Sequence, residues 1–112
     1  MIHQFAYKIL TKAQFLSLRA GDFKGAPVDI ADGYIHLSTA EQIDNTLARH
    51  FSGQTGLVIA AIPLAPLGGN LKWEVSRGGD LFPHLYGRLT IEMVSAYIAL
   101  NHDSNGRALL PA

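Results

Sequence analysis

The 112-residue chain contains no cysteine. Disulfides, thiolate catalysis and cysteine-ligated zinc are therefore excluded, and a cytoplasmic location is expected. It also lacks net charge: nine Lys and Arg balance nine Asp and Glu, with five histidines besides. No global field draws such a chain onto double-stranded nucleic acid or an anionic membrane, so neither is expected as a partner. A small nucleotide or metabolite stays open, because one local cluster of donors suffices to hold it. Long apolar runs are missing as well. The longest, Leu57 to Ile62, is closed by Pro63 and is far too short to span a bilayer. Residues Met1 to Lys8 show no basic stretch followed by an apolar run, so no signal peptide is expected. No repeat, low-complexity segment or known metal-ligand spacing appears, and no metal is expected. Nothing here fixes an oligomeric state.

What is present suits one folded domain over residues 1–112. Apolar residues make up 48% of the chain, enough for a single core. Phe5 to Leu10 reads as a strand. Thr11 and Gln14 have capping-box spacing, with Leu10 and Phe15 as a hydrophobic staple, so a helix is predicted to Arg19 or Ala20, stopped by Gly21. Gly21 to Gly33 reads as a loop and Gly33 to Leu37 as a strand. A second helix is predicted from a capping box at Ser38 and Glu41, or at Thr39 and Gln42, with Ile43, Leu47 and Phe51 on one stripe and Gly53 at its end. Strands are predicted at 57–62, 71–75, 82–86 and 95–100, with a helical turn at 90–94. The tail from residue 103 to 112 is expected to fray.

Three segments carry polar chemistry. In Asp32-Gly33-Tyr34-Ile35-His36-Leu37-Ser38-Thr39, alternation puts Tyr34, His36 and Ser38 on one side of a strand. If a helix starts there, its free N–H groups suit an anion or a carbonyl oxygen. The plain alternative is a structural histidine beside a capped helix. In Phe82-Pro83-His84-Leu85-Tyr86-Gly87, the same alternation aligns Phe82, His84 and Tyr86, which suits stacking on a flat ring. The plain alternative is a core strand end. In Trp73-Glu74-Val75-Ser76-Arg77-Gly78-Gly79, Glu74 lies opposite Trp73 on the face taken as non-core, as a solvated or a site residue. Arg77 beside two glycines suits a phosphate. His3, His50 and His102 read as structural.

These stretches, together with Arg49-His50-Phe51 and Leu71-Lys72-Trp73-Glu74, resemble almost end to end the small bacterial proteins of domain-of-unknown-function family 952. That family is in turn similar to the ADP-ribosyltransferase fold. The resemblance implies an α+β domain with a split, mostly antiparallel sheet and two main helices, gripping NAD. It implies that His36 holds the ribose or the nicotinamide amide, that Ser38 holds the ribose, and that Tyr86 stacks the nicotinamide. His84 would be a second polar site residue. Glu74 is the candidate for the fold's final glutamate, since Glu92 falls on a turn. The tRNA 2′-phosphotransferases of that superfamily use His and Arg instead, which Arg77 or Arg88 would supply.

The expectation is therefore a catalytic set of His36, Glu74 and His84. The nucleotide, NAD, would be held by Tyr34, His36, Ser38, Thr39, Arg77 and Tyr86. Three readings of the activity stand: ADP-ribosyl or phosphate group transfer, nucleotide binding without turnover, and phosphoester hydrolysis by a His36–His84 acid–base pair.

Overall fold

The computed structural model describes residues 3–112, apart from the side chain of Arg77. The first strand, β1 (Phe5–Leu10), runs straight into a helix, α1 (Lys12–Ala20). The capping box forms as the spacing predicts: Thr11 Oγ1 accepts from the Gln14 N–H at 3.1 Å, and Gln14 Oε1 accepts from the Thr11 N–H at 2.9 Å. Gly21 then stops the helix. Its φ of 84° is left-handed, and its N–H reaches back to the last turn.

A second helix, α2 (Pro27–Asp32), lies where a loop was expected. Pro27 at the first helical position presets the backbone, and the Asp29 carboxylate reaches back to the Ala26 N–H at 2.8 Å. Gly33, with φ 85°, ends it. The strand that follows, β2 (Ile35–His36), is shorter than predicted. Ser38 extends it through a two-bond pair with Tyr7 of β1: Tyr7 N–H donates to Ser38 O at 2.8 Å and Ser38 N–H to Tyr7 O at 3.0 Å. Because strand pairing holds Ser38, the next helix starts late. It is α3 (Ile43–His50), so the predicted start at Ser38 or Thr39 is corrected and the anion pocket expected there has no helix N-terminus behind it. Gln42 keeps half of the alternative box, accepting from the Thr39 N–H at 3.0 Å.

The remaining strands are β3 (Val58–Pro63), β4 (Leu71–Val75), β5 (Leu81–Leu85) and β6 (Ala96–Ala99). All pairings are antiparallel, and the strands form two three-stranded sheets in the orders β1-β3-β6 and β2-β5-β4. The Tyr7–Ser38 pair is the seam between them. The α+β class is as expected, and so is the division of the sheet into two antiparallel halves.

Alternation on β1 divides the core. Ala6 and Leu10 pack with Phe15 and Leu18 of α1 and with Ile35, Leu37 and Leu85 of the second sheet. Tyr7 and Ile9 pack on the other face with Ile43 and Leu47 of α3. β3 serves both clusters, Ala60 and Ile62 on one side, Ile59 and Ala61 on the other. β4 differs from expectation. Its Trp73 and Val75 face, read as core, is 37% and 68% exposed, because β4 is an edge strand with no helix over that face. Trp73 meets the His3 ring there, at 5.3 Å between centroids. The tail is tied back rather than loose: Asp103 accepts from the N–H groups of Asn105 and Arg107, and the Ala108 N–H donates to Asp44 at the first turn of α3.

Thr11→Ala removes the α1 cap and is expected to lower unfolding free energy by about 1 kcal/mol, read from urea melts with an unchanged slope. Leu18→Ala, which empties a fully buried position on the same helix, is expected to lose roughly 2–5 kcal/mol.

Candidate functional site

The site is built on strand alternation across the second sheet. In the β2–β5 register His36 lies directly opposite His84. Directly opposite side chains on one face are close neighbours, and the two imidazole centroids are 5.4 Å apart, edge to face at 64°. Tyr34 stacks on His84 at 4.1 Å and also touches the rings of His36, at 4.6 Å, and Tyr86, at 5.3 Å. On the far side of β5, Lys72 pairs with His84 in register and Glu74 lies on the diagonal. One Glu74 oxygen, Oε1, meets His84 Nδ1 at 2.8 Å and accepts from the Tyr86 hydroxyl at 2.8 Å. The Lys72 ammonium sits 4.7 Å over the Tyr86 ring.

His36 has its own carboxylate. Asp29 Oδ1 lies 2.7 Å from His36 Nδ1 and accepts the His36 backbone N–H at 2.9 Å. Its Oδ2 pairs with Lys8 Nζ at 2.9 Å. Lys8 Nζ also donates to the His36 carbonyl at 3.0 Å, so one buried lysine and one buried aspartate fix the backbone of β2 from both sides. His36 Nε2 faces Asp32 Oδ2 at 3.0 Å, and that carboxylate is largely exposed.

The pKa shifts follow this geometry. Burial pushes the Asp29 carboxyl upward, but the His36 and Lys8 bonds outweigh it and hold it at about 2. Burial also pulls the Lys8 ammonium down, opposed by Asp29. The bonds from His84 and then Tyr86 hold the Glu74 carboxyl below its usual range. The same Glu74 bond raises the Tyr86 phenol, while burial first and the nearby carboxylates second raise Tyr34. Both histidines thus present Nδ1 to an ionised carboxylate, which places a proton on that nitrogen, while on His36 a second carboxylate, Asp32, faces Nε2.

The structure brings together Tyr34, His36, Glu74, His84 and Tyr86. Ser38 stands just inside them, its hydroxyl 3.1 Å from that of Thr46. A cavity of about 510 Å³ joins Ser38 to His36 and His84, walled by Phe82, Thr46 and Ser76. Thr39 is not part of this site. It lines a separate open groove of about 1280 Å³ beside Trp73 and Leu81, which neither histidine reaches. The side chain of Arg77 lies outside the described residues. Arg88 is committed elsewhere, donating to the carbonyls of Gly21 and Phe23 at 3.0 and 3.1 Å. Sequence reading missed Lys8, Asp29 and Asp32. A signal was there for Asp29, since Pro27 followed two residues later by an aspartate is a helix start. No local pattern marks Lys8. Among the described residues no group of His, Asp and Glu is arranged to hold a metal ion, and no helix is long and apolar enough to cross a membrane.

The profile of DUF952, a family described as proteins of unknown function, matches residues 9–97. The chain belongs to the DUF952 family. Its fold is similar to the crystal structure of protein CC0527 from Caulobacter crescentus, 45% identical over 94% of this chain and 93% of that one, with a TM-score of 0.84. The solution NMR structure of CC0527 is 46% identical over 92% and 90%, with a TM-score of 0.78. No curated protein matches the chain.

The sign of the Asp29 shift sets a pH window. Its folded value, about 2, lies below the ordinary 3.8, so its contribution is complete above about pH 4 and is lost as pH falls towards 2. The stability gap between the wild type and Asp29→Asn is expected to be flat from pH 7 to about pH 5 and to shrink below about pH 4. Urea melts across that range read it.

Proposed function

We propose that the cleft at the seam of the two half-sheets binds a nucleotide of the NAD type and carries out ADP-ribosyl or phosphate group transfer. The observation that carries this reading is the opposition of His36 and His84, 5.4 Å apart, with Tyr34 stacked on His84 and Tyr86 beside Tyr34. The two antiparallel half-sheets fit the ADP-ribosyltransferase resemblance, but fold likeness assigns no chemistry, so the side chains must carry the argument.

The residues present suit such a ligand. Tyr86 is partly exposed and offers a ring face for stacking. Lys72 beside it offers a cation to a phosphate. The cavity beside Ser38 falls in the size range of small-ligand sites. When bound, NAD supplies a ribose carbon that carries a good leaving group. His36 orients the ribose through Nε2. His84 Nε2, which makes no hydrogen bond among the described residues, receives the proton of the attacking group. Glu74 is engaged by both His84 and Tyr86, so its part is to orient them rather than to attack.

One further observation favours a second reading. Each histidine has its Nδ1 fixed by a carboxylate, the arrangement an acid–base pair acting on a phosphoester requires. In that case hydrolysis follows a bell-shaped pH–rate profile that either His→Ala variant abolishes.

NMR titration with NAD and ADP-ribose tests the first reading. Saturable shifts are expected at Tyr34, His36, His84 and Tyr86, and His36→Ala is expected to weaken binding roughly tenfold, the worth of one hydrogen bond to the ribose. Saturable binding without product on long incubation keeps the cleft and removes the turnover. No shift at these residues with millimolar NAD or ADP-ribose overturns the reading.

A further inference from the structure

Asp29 is the most heavily bonded side chain of the site. Its oxygens receive the N–H of Ala26, the N–H of His36, the His36 ring and the Lys8 ammonium. It is 2% exposed, so these bonds form away from solvent. A carboxylate needed only to dock α2 against the sheet is satisfied by Ala26, Lys8 and the His36 backbone. The ring contact is additional, and it is the shortest of the set at 2.7 Å. Because one oxygen, Oδ1, takes both the backbone N–H and ring Nδ1 of the same residue, His36 is held at two points and its ring has one orientation.

The other ring nitrogen is held differently. Asp32 comes from the last turn of the same short helix, immediately before Gly33. Among the described residues it makes one hydrogen-bond contact, to Nε2 at 3.0 Å, and its side chain is 44% exposed. Nothing described buries it or fixes its rotamer. The two carboxylates of α2 thus divide the ring: a buried one that cannot leave Nδ1, and an exposed one that can leave Nε2.

We infer that Asp29 is the positioning residue of His36, holding its Nδ1–H so that Nε2 is the nitrogen offered to a ligand, and that a ligand hydroxyl takes the place of Asp32 there. A hydroxyl fits that place because it both donates and accepts, and so matches Nε2 in either protonation state of the ring. The inference deepens the nucleotide reading, whose ribose supplies such a hydroxyl, and rests on that reading for its purpose. The tautomer itself is measurable without any ligand. Across the sheet Glu74 does the same for His84, but from a half-exposed position and shared with Tyr86.

Long-range proton–nitrogen NMR of the histidine rings at about pH 8.5, where an ordinary imidazole is neutral, tests it. Wild-type His36 is expected to carry a proton on Nδ1, with a second on Nε2 only while Asp32 faces that nitrogen. Asp29→Asn is expected to lose that fixed Nδ1 proton and to weaken ADP-ribose binding about tenfold. Lys8→Met, which removes the ammonium but keeps the ring contact, lowers stability and leaves the tautomer in place, so a purely structural role and a positioning role separate. Asp32→Ala keeps the tautomer and does not weaken ADP-ribose binding. If Asp29→Asn does not fold, the wild type and Lys8→Met decide. A wild-type His36 that is Nε2–H or a mixture overturns the inference, and so does an Asp29→Asn protein that keeps Nδ1–H. The expected tautomer with no ADP-ribose binding supports the hold of Asp29 on the ring and overturns the nucleotide reading instead.

Discussion

The Asp29 carboxylate is the point on which the rest of the site depends. It joins three elements: β1 through Lys8, α2 through its own backbone and Ala26, and β2 through His36. A buried charge pair of this kind is not a source of large net stability, because desolvation of both ions offsets most of their attraction. Its value is geometric. Removing one partner leaves the other charged and dry, which costs roughly 3–5 kcal/mol, so the three elements are held in one arrangement. That arrangement sets β2 against β5 with His36 opposite His84.

The seam where this happens is thin. Among the described residues only the Tyr7–Ser38 pair links the two half-sheets as backbone, while β1 and β3 share six register pairs. A split sheet with few backbone bonds across the seam leaves room for a cavity there, and the cavity of about 510 Å³ runs beside Ser38, His36 and His84. The titratable groups gather at the same place. Each histidine meets a carboxylate, Tyr34 lies against both imidazoles and Tyr86 against Tyr34, and Lys72 stands over the Tyr86 ring. Packing therefore makes the opening, and His36, Ser38 and His84 line it beside apolar side chains such as Leu37 and Phe82.

Much of this was legible in the sequence where local chemistry dictates structure. The Thr11–Gln14 box and the Gly21 stop gave α1 its bounds, and strand alternation put Tyr34, His36, His84 and Tyr86 on shared faces. The failures share a cause: a long-range contact overrode a local signal. Ser38 has the chemistry of a helix cap, yet Tyr7 recruits its backbone into the sheet and α3 starts at Ile43. Trp73 and Val75 alternate like core residues, yet β4 sits at an edge with that face open. Lys8 sits in an apolar strand with no local mark of its partner, 21 residues on. Asp29 was hidden for a simpler reason: a six-residue helix rich in glycine and proline neighbours looks like a loop.

Amide hydrogen exchange on the wild type and Asp29→Asn tests the central claim most directly, because it reads the seam and the scaffold in one measurement. If the Asp29 carboxylate holds the seam, its loss speeds exchange at His36, Ser38 and Tyr7 by roughly tenfold or more relative to the ladder amides of β3. Equal protection at His36 and Ser38 in the two proteins, or a uniform loss that includes β3, would contradict it.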